Sequence, residues 1–190
     1  MKLAWLTDIH LNFLDHAKRH FFYERIIEKA PKGILISGDI AEAPSICDVL
    51  IEMEKTLSCP IYFVLGNHDY YCGQTEVVRQ NIISLTNKVK NLHWLGHAGV
   101  MPLTTDTILL GQDGWADGRL GYYHHSSIRL NDESLIADFF QQKCLSHDRL
   151  LATMQKWADQ DARQLHHDLQ TAALTGAARL IVITHVPPFK

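Results

Sequence analysis

The chain of 190 residues is 46% hydrophobic and 21% charged, a composition typical of a globular protein and, by default, of a single domain spanning residues 1–190. Its 18 basic and 21 acidic residues give a formal net charge of -3, so no basic excess indicates nucleic acid or a membrane as the main partner. The four cysteines form no C-x-x-C pair, which argues against a zinc knuckle or disulfide scaffold and favours reduced thiols in a cytoplasmic protein.

Short apolar runs that alternate with helix-like stretches predict an α/β fold. Each run is rich in Ile, Leu and Val without polar alternation, as expected for strands that helices cover. The predicted strands are residues 3–6, 34–36, 61–65, 108–110 and 180–183. The predicted helices that lie between the earlier strands are residues 15–29, 44–57 and 75–88.

Two segments follow in the second half of the chain. Residues 132–175 carry apolar side chains at spacings of three, four and eight, which predicts a long helical region packed on the body through one stripe. Residues 111–127 are rich in Gly, Asp, Tyr and His and predict a long loop. Long loops in compact domains are often functional, so this one is a candidate substrate contact.

Four polar clusters each come directly after a predicted strand. They are Asp8-Ile9-His10, Gly38-Asp39, Gly66-Asn67-His68-Asp69 and His185 within Thr184-His185-Val186-Pro187-Pro188. Because the carboxyl ends of strands border the ligand crevice of α/β sheets, we expect these clusters to converge. The glycines before Asp39 and Asn67 are expected to let the chain turn sharply off each strand.

The side chains of these clusters predict a metal site. Carboxylate and amide oxygens together with imidazole nitrogens suit Mn, Fe or Zn better than Ca, which prefers oxygen alone. On an extended backbone, Asp8 and His10 share a face and are able to grip one ion. Taken alone, that pair is also consistent with a helix cap or a solvent-facing turn, and Gly38-Asp39 with ordinary turn chemistry.

In this order, the clusters resemble the calcineurin-like metallophosphoesterases, whose pattern is D-x-H, G-D, G-N-H-[DE], H-x-P-P and then G-H-x-H. The first four motifs lie between Asp8 and Pro188, so the resemblance covers nearly the whole chain. It implies a four-layer α-β-β-α sandwich of the metallo-dependent phosphatase type. It also implies hydrolysis of a phosphomonoester or phosphodiester by a hydroxide that bridges two divalent metal ions, with Mn favoured over Fe or Zn.

The resemblance also implies a metal-binding role for five residues. Asp8 and His10 are expected to bind the first ion, and Asp39 to bridge both ions. Asn67 and His185 are expected to bind the second ion.

The third motif implies two further catalytic roles. His68 is expected to touch the substrate phosphate and to protonate the leaving group, a step suited to histidine near neutral pH. Asp69 is expected to orient His68 through a hydrogen bond that fixes its tautomer.

One motif of the family pattern, G-H-x-H, is absent from these 190 residues. Its histidines complete both metal shells in the family, and Gly96-His97 lies in the wrong order and lacks the second histidine. We therefore expect a domain that is C-terminally incomplete, without its last strands, with an exposed sheet edge that favours association. A natural short form with weakened metal binding is the alternative.

The substrate is expected to be a small phosphorylated molecule or a phosphoprotein. In the loop of residues 111–127, Arg119 is a candidate phosphate clamp, and Trp115 and Tyr122 are candidates for stacking on a base or sugar. The plainer expectation is that both aromatic side chains pack inward. Asn12 and Tyr70 are further candidates for the pocket wall. A non-catalytic scaffold of the same fold and a nuclease with a basic groove remain alternatives.

Overall fold

Two β-sheets carry the fold in this computed structural model, which describes residues 1–187. Pro188, the last residue of the H-x-P-P match, therefore lies outside the described residues. The strands are Ala4–Leu6 (β1), Ile34–Ser37 (β2), Ile61–Val64 (β3), Leu92–Trp94 (β4), Met101–Thr104 (β5), Thr107–Gln112 (β6) and Arg179–Thr184 (β7). One sheet has the parallel order β1-β2-β3-β4. The other has the order β5-β6-β7, with β5 antiparallel and β7 parallel to β6.

The helices flank these sheets. They are His16–Ile27 (α1), Ile46–Leu57 (α2), Thr75–Lys88 (α3), Leu95–Ala98 (α4), Asp132–Leu135 (α5), Ala137–Leu145 (α6) and His147–Leu174 (α7). Short 3-10 turns occupy Leu11–Phe13, His68–Tyr70 and Tyr123–His125. Within residues 1–187, no helix combines the length and the apolar character that crossing a membrane requires.

The side-chain packing confirms the predicted four-layer α-β-β-α sandwich. On β6, Leu109 packs between the sheets against a cluster that contains Leu35 of β2. Its neighbours Ile108 and Leu110 face the other way and pack with Leu165 of α7. Helices α1, α2 and α3 cover the outer face of the four-stranded sheet in the largest apolar cluster. The alternation along β6 therefore places α7 as the fourth layer.

The five predicted strands and the three early helices are confirmed, but the later helical region is divided. Residues 132–175 form three helices because the chain is extended at Ile136 and again at Ser146, whose side chain caps α7 by accepting from the Arg149 N–H. At the first break, the Ala137 N–H donates to the Gly73 carbonyl at 3.1 Å. That contact ties this region to the loop after His68. The short strands β4 and β5 and helix α4 were not predicted.

Strand β7 forms an edge of its sheet among the described residues. Leu180 and Val182 on this strand are 45% and 41% exposed, respectively. An apolar strand with an unpaired edge is a known route to association between copies. Self-association of this chain stays a prediction.

An ion pair joins α1 to α2 and leads to a pH-dependent prediction. Arg19 donates to both carboxylate oxygens of Glu52, at 3.0 and 3.1 Å. Burial alone would raise the pKa of Glu52, but the hydrogen bonds and charge of Arg19 hold that pKa below its ordinary value. The pair therefore stabilises the fold above the ordinary glutamate pKa, and the effect is lost as pH falls through the folded-state pKa. We expect Glu52→Gln to lower the free energy of unfolding by roughly 0.5–1 kcal/mol at neutral pH.

Urea unfolding of wild type and Glu52→Gln at neutral pH and at about pH 3 measures this effect. Glu24→Gln is the matched control, because Glu24 lies on α1 and is 55% exposed beside His20. An equal loss in Glu52→Gln at both pH values would contradict an electrostatic origin.

Candidate metal centre

The loops that follow β1, β2, β3 and β7 meet at one edge of the fold, as expected. Backbone hydrogen bonds join the first two loops, from the His10 N–H to the Asp39 carbonyl at 3.0 Å and from the Asp8 N–H to the Gly38 carbonyl at 3.3 Å. The His185 ring reaches the same place from β7, where its Nδ1 lies 2.8 Å from the Ser37 carbonyl oxygen. The chain therefore gathers the polar clusters around the ends of β2 and β3.

The backbone adopts left-handed conformations at three of these positions. Asp8, His10 and Asp39 have φ angles of 52°, 41° and 54°, which non-glycine residues rarely adopt. Such conformations cluster at functional sites, where the surrounding hydrogen bonds maintain them. Gly38 has φ +95°, so it provides the predicted sharp turn.

Gly66 serves a different purpose from the turn expected of it. Its φ is not in the left-handed region, but a Cβ at this position would lie 2.7 Å from Cε1 of His185 and would also clash with the Asp39 carboxylate. The absence of a side chain therefore lets Asp39 and His185 approach each other beside the backbone. Close approach, rather than backbone freedom, explains this glycine.

Asp39 lies at the centre of the site and is only 4% exposed. Its Oδ2 is 3.7 Å from Nε2 of His10 and 4.0 Å from Nε2 of His68. Its Oδ1 is 3.6 Å from Nε2 of His185 and accepts the His68 backbone N–H at 3.0 Å. The ligand atoms of His10, Asp39 and His68 all lie within 4.8 Å of one another, so these three residues are able to hold a metal ion. The two carboxylate oxygens thus face two different groups of nitrogen and oxygen atoms.

The second group consists of His185 and Asn67. Because a carbonyl oxygen only accepts, Nδ1 of His185 must carry the hydrogen that bonds Ser37, which leaves Nε2 as an acceptor in the neutral ring. This Nε2 lies 3.0 Å from Oδ1 of Asn67. Three acceptor atoms, including Oδ1 of Asp39, then converge without a donor between them. A proton on Nε2 or a metal ion resolves this arrangement, and the mixed nitrogen and oxygen set fits a divalent transition metal.

The orientation of Asn67 depends on two residues that the sequence analysis did not identify. Its Nδ2 donates to Asp132 at 2.8 Å and to the Tyr71 hydroxyl at 3.3 Å, while the Tyr71 hydroxyl itself donates to Asp132 at 2.5 Å. Since Nδ2 faces a carboxylate, Oδ1 must face His185. Asp132 is therefore a positioning residue for Asn67, although 65 positions separate the two in the sequence.

Asp8 is not part of the three-residue group. Its carboxylate accepts from the Thr7 hydroxyl and its side chain is exposed. The expected shared face with His10 assumed an extended backbone, and that assumption is wrong because both residues have positive φ. Metal binding by Asp8 stays a prediction.

Asp69 has a different partner from the one predicted. It is fully buried, and each of its two oxygens accepts two backbone N–H groups. The donors are Asp39, Gly66, Ile40 and Ala41, at 3.0, 2.7, 2.7 and 2.9 Å.

The predicted hydrogen bond from Asp69 to His68 is therefore wrong. In the described part of the chain, Nδ1 of His68 is buried without a hydrogen-bond partner. Burial raises the pKa of Asp69 to about 8, although hydrogen bonds from the N–H groups of Ala41, Gly66 and Ile40 lower it. With two donors on each oxygen, a proton on either oxygen would face an N–H group, so these four contacts favour the carboxylate form. Asp69 holds together the two loops that carry Asp39 and Asn67.

Asp113 supports the site in a similar way from the second sheet. This carboxylate is 1% exposed and accepts from the Leu65 N–H, the Trp94 indole and the Tyr70 hydroxyl, at 2.7, 2.9 and 2.9 Å. Its carbonyl accepts the His185 N–H at 3.2 Å. Burial raises the pKa of Asp113. Tyr70 is fully buried in this network, so its expected place in the pocket wall is wrong.

A cavity of about 350 Å³ opens beside the metal ligands. We call it the metal-side cavity, and its walls include Asn67, His68, Tyr71, Leu130, Asp132 and His185. Tyr70 was expected in this wall, but the next residue, Tyr71, lines it instead. The centroid of the Tyr71 ring lies 4.1 Å from that of the His68 ring. The cavity therefore offers space for a substrate directly against the candidate catalytic histidine.

The loop residues proposed as substrate contacts divide between core and surface. Trp115 is 6% exposed, as the plainer expectation had it, whereas Tyr122 is 84% exposed and does not pack inward. Arg119 donates to Asp117 and Asp159, both at 2.7 Å, and it does not line the metal-side cavity. The proposed phosphate clamp is therefore already occupied by two carboxylates.

Comparison with known families shows which family this chain belongs to. The calcineurin-like phosphoesterase family matches residues 1–190, so the chain belongs to that family. No curated protein matches the chain.

Two solved structures show the same fold. One is the crystal structure of phosphopantetheinyl hydrolase from Mycobacterium tuberculosis, with a TM-score of 0.63 and 12% identity over 98% of this chain and 68% of that chain. Another crystal structure has a TM-score of 0.57 and 12% identity over 100% of this chain and 70% of its own. At this level of identity, the likeness supports the architecture alone.

Proposed function

We propose that this chain is a metal-dependent phosphoesterase that hydrolyses a phosphomonoester or phosphodiester with two divalent metal ions. Mn is the favoured metal. Family membership supports hydrolysis of phosphate esters in general. The observation that carries the two-ion proposal is the position of Asp39, whose Oδ2 faces His10 and whose Oδ1 faces His185. A buried carboxylate with a different group of acceptor atoms at each oxygen suits a bridging ligand.

The residues of the chain have distinct tasks in this mechanism. Two divalent ions, when bound, would supply a nucleophilic hydroxide at neutral pH and positive charge at the phosphoryl oxygens. His10 and Asp39, with Asp8 as a proposed addition, would hold one ion. Asp39, Asn67 and His185 would hold the other. The ring of His68 lies beside this group and faces the metal-side cavity, where we assign it the transfer of a proton to the leaving oxygen.

The substrate and the location are part of the same proposal. We propose a small phosphorylated molecule or a phosphoprotein as substrate, and the cytoplasm as the location. All four cysteines are free in the structure, as expected in a reducing compartment. The formal net charge of -3 argues against nucleic acid, because a strand would bring many phosphate groups to the protein surface.

Hydrolysis of p-nitrophenyl phosphate and bis(p-nitrophenyl) phosphate by metal-stripped protein, with Mn, Fe or Zn added back, tests the proposal. We expect metal-dependent turnover of at least one ester and a loss of about 10³-fold or more in Asp39→Asn, which removes the central charge with little change in volume. Asp117→Asn is the control, because it alters an aspartate outside the site. Absence of turnover with every metal would instead favour a non-catalytic scaffold.

A further inference from the structure

We propose that a second cavity, adjoining the metal-side cavity, binds the part of the substrate beyond the phosphate and selects an uncharged, apolar group. This side cavity has a volume of about 250 Å³, and its walls include Tyr122, Tyr123, Ile128, Leu130, Phe139 and Met154. The inference rests on the proposed function, because it assigns the leaving group or second ester arm of that reaction.

The side cavity lies directly beside the metal-side cavity. Ala116, Leu130 and Asp132 line both cavities, so the two spaces meet at these shared walls. A phosphate held by the metal ligands would therefore leave the remainder of the ester directed toward the side cavity. On this adjacency we assign the two spaces to a single elongated binding site.

The walls of the side cavity include many apolar and aromatic side chains. Phe139 and Met154 form a buried floor, with 1% and 8% exposure, while Ile128 and Tyr122 remain 72% and 84% exposed around it. Ligand sites are typically concave and lined by apolar and aromatic side chains. Burial of the exposed apolar side chains against a ligand would also remove their area from water.

The charges around the side cavity disfavour an anionic ligand. Asp132 stands where the two cavities meet, and Glu133 pairs with Lys143 at 3.0 Å. The guanidinium of Arg129 donates to the carbonyls of Ser126 and Ile128, at 2.8 and 3.1 Å. A second phosphate or a carboxylate in this space would face acidic side chains, with the nearby arginine already engaged.

A series of 4-alkylphenyl phosphate esters tests the proposal on the holoenzyme. From methyl to hexyl the phenol leaving groups have nearly the same acidity, so the chemical step stays constant while the apolar arm grows. We expect kcat/KM to rise about threefold per added methylene group until the side cavity is filled. An ester that carries a terminal carboxylate on the same arm should lose this gain.

Two matched variants localise the effect. Ile128 and Leu120 lie in the segment between β6 and α5 and are each 72% exposed, but only Ile128 lines the side cavity. Ile128→Asp should remove most of the dependence on chain length, whereas Leu120→Asp should keep it. Because both changes are at exposed positions, neither is expected to impair folding. Equal slopes in the two variants would overturn the assignment of the side cavity.

A binding measurement separates this proposal from the proposed function. Binding of 4-hexylphenol to metal-free protein, followed by tryptophan fluorescence, reports the side cavity without any hydrolysis. Turnover of every ester with no dependence on chain length would overturn the inference and leave phosphoesterase activity intact. Phenol binding that Ile128→Asp abolishes, in a protein that hydrolyses no ester, would keep the apolar site but overturn its role in a substrate. Absence of both phenol binding and ester hydrolysis would overturn both proposals.

Discussion

Replacement of Asp69 by Asn is expected to lower the free energy of unfolding by about 3 kcal/mol, the largest effect on stability that we expect of any isosteric change in this protein. The Asp69 carboxylate accepts four backbone N–H groups and is fully buried. An Asn side chain supplies one accepting oxygen and puts an NH₂ group against the remaining donors. At least two buried N–H groups then lose their acceptor, and each costs about 1–3 kcal/mol.

Urea unfolding monitored by tryptophan fluorescence, with EDTA present, measures this loss apart from any metal binding. Asp48→Asn serves as the matched control, because Asp48 is exposed on α2 and its change alters the same charge. We expect the control to stay within about 0.5 kcal/mol of wild type. A similarly small effect of Asp69→Asn would contradict the expected contribution of the four buried N–H contacts to the free energy of unfolding.

The Asp69 contacts also show where prediction from sequence stops. The order of the motifs and the rule for strand ends predicted that Asp39 and Asn67 meet, because β2 and β3 are neighbouring parallel strands. His185 joins them from β7 of the other sheet, whose end reaches the same edge. The hydrogen bonds of Asp69 span 28 to 30 positions to three of its donors, so no local pattern reports them. The neighbouring His68 was the obvious local partner, but buried amides without another acceptor determine where this carboxylate points.

Asp132 is a second residue whose contact with the site could not be predicted from the sequence. It lies in a segment whose apolar spacing predicted a long helical region, and nothing in that spacing marks the break at Ile136. The break allows the backbone to bond with Gly73 and brings Asp132 to Asn67. Positions of this kind follow from tertiary packing, which overrides local periodicity. The strands β4 and β5 escaped prediction for a simpler reason, since each has only 3 or 4 residues and includes polar ones.

Replacement of His68 by Asn is expected to lower kcat by about 10²- to 10⁴-fold for an ester with a poor leaving group, while Mn affinity stays close to that of wild type. The His68 backbone N–H bonds to Asp39 at 3.0 Å, and this contact does not require the imidazole. The metal ligands should therefore keep their positions. The lost function is the proton for the departing oxygen, so p-nitrophenyl esters, whose leaving group needs little protonation, should lose much less.

The ratio of the two losses, measured together with Mn binding by calorimetry, separates two roles for His68. One of its ring nitrogens lies within 4.8 Å of the ligand atoms of His10 and Asp39, so the geometry alone is also consistent with a metal ligand. His10→Asn is the comparison, and it should weaken Mn binding and slow both esters alike. If His68→Asn weakens Mn binding to the same extent and slows both esters equally, His68 is a ligand of the ion. The proton would then have to come from another residue or from water.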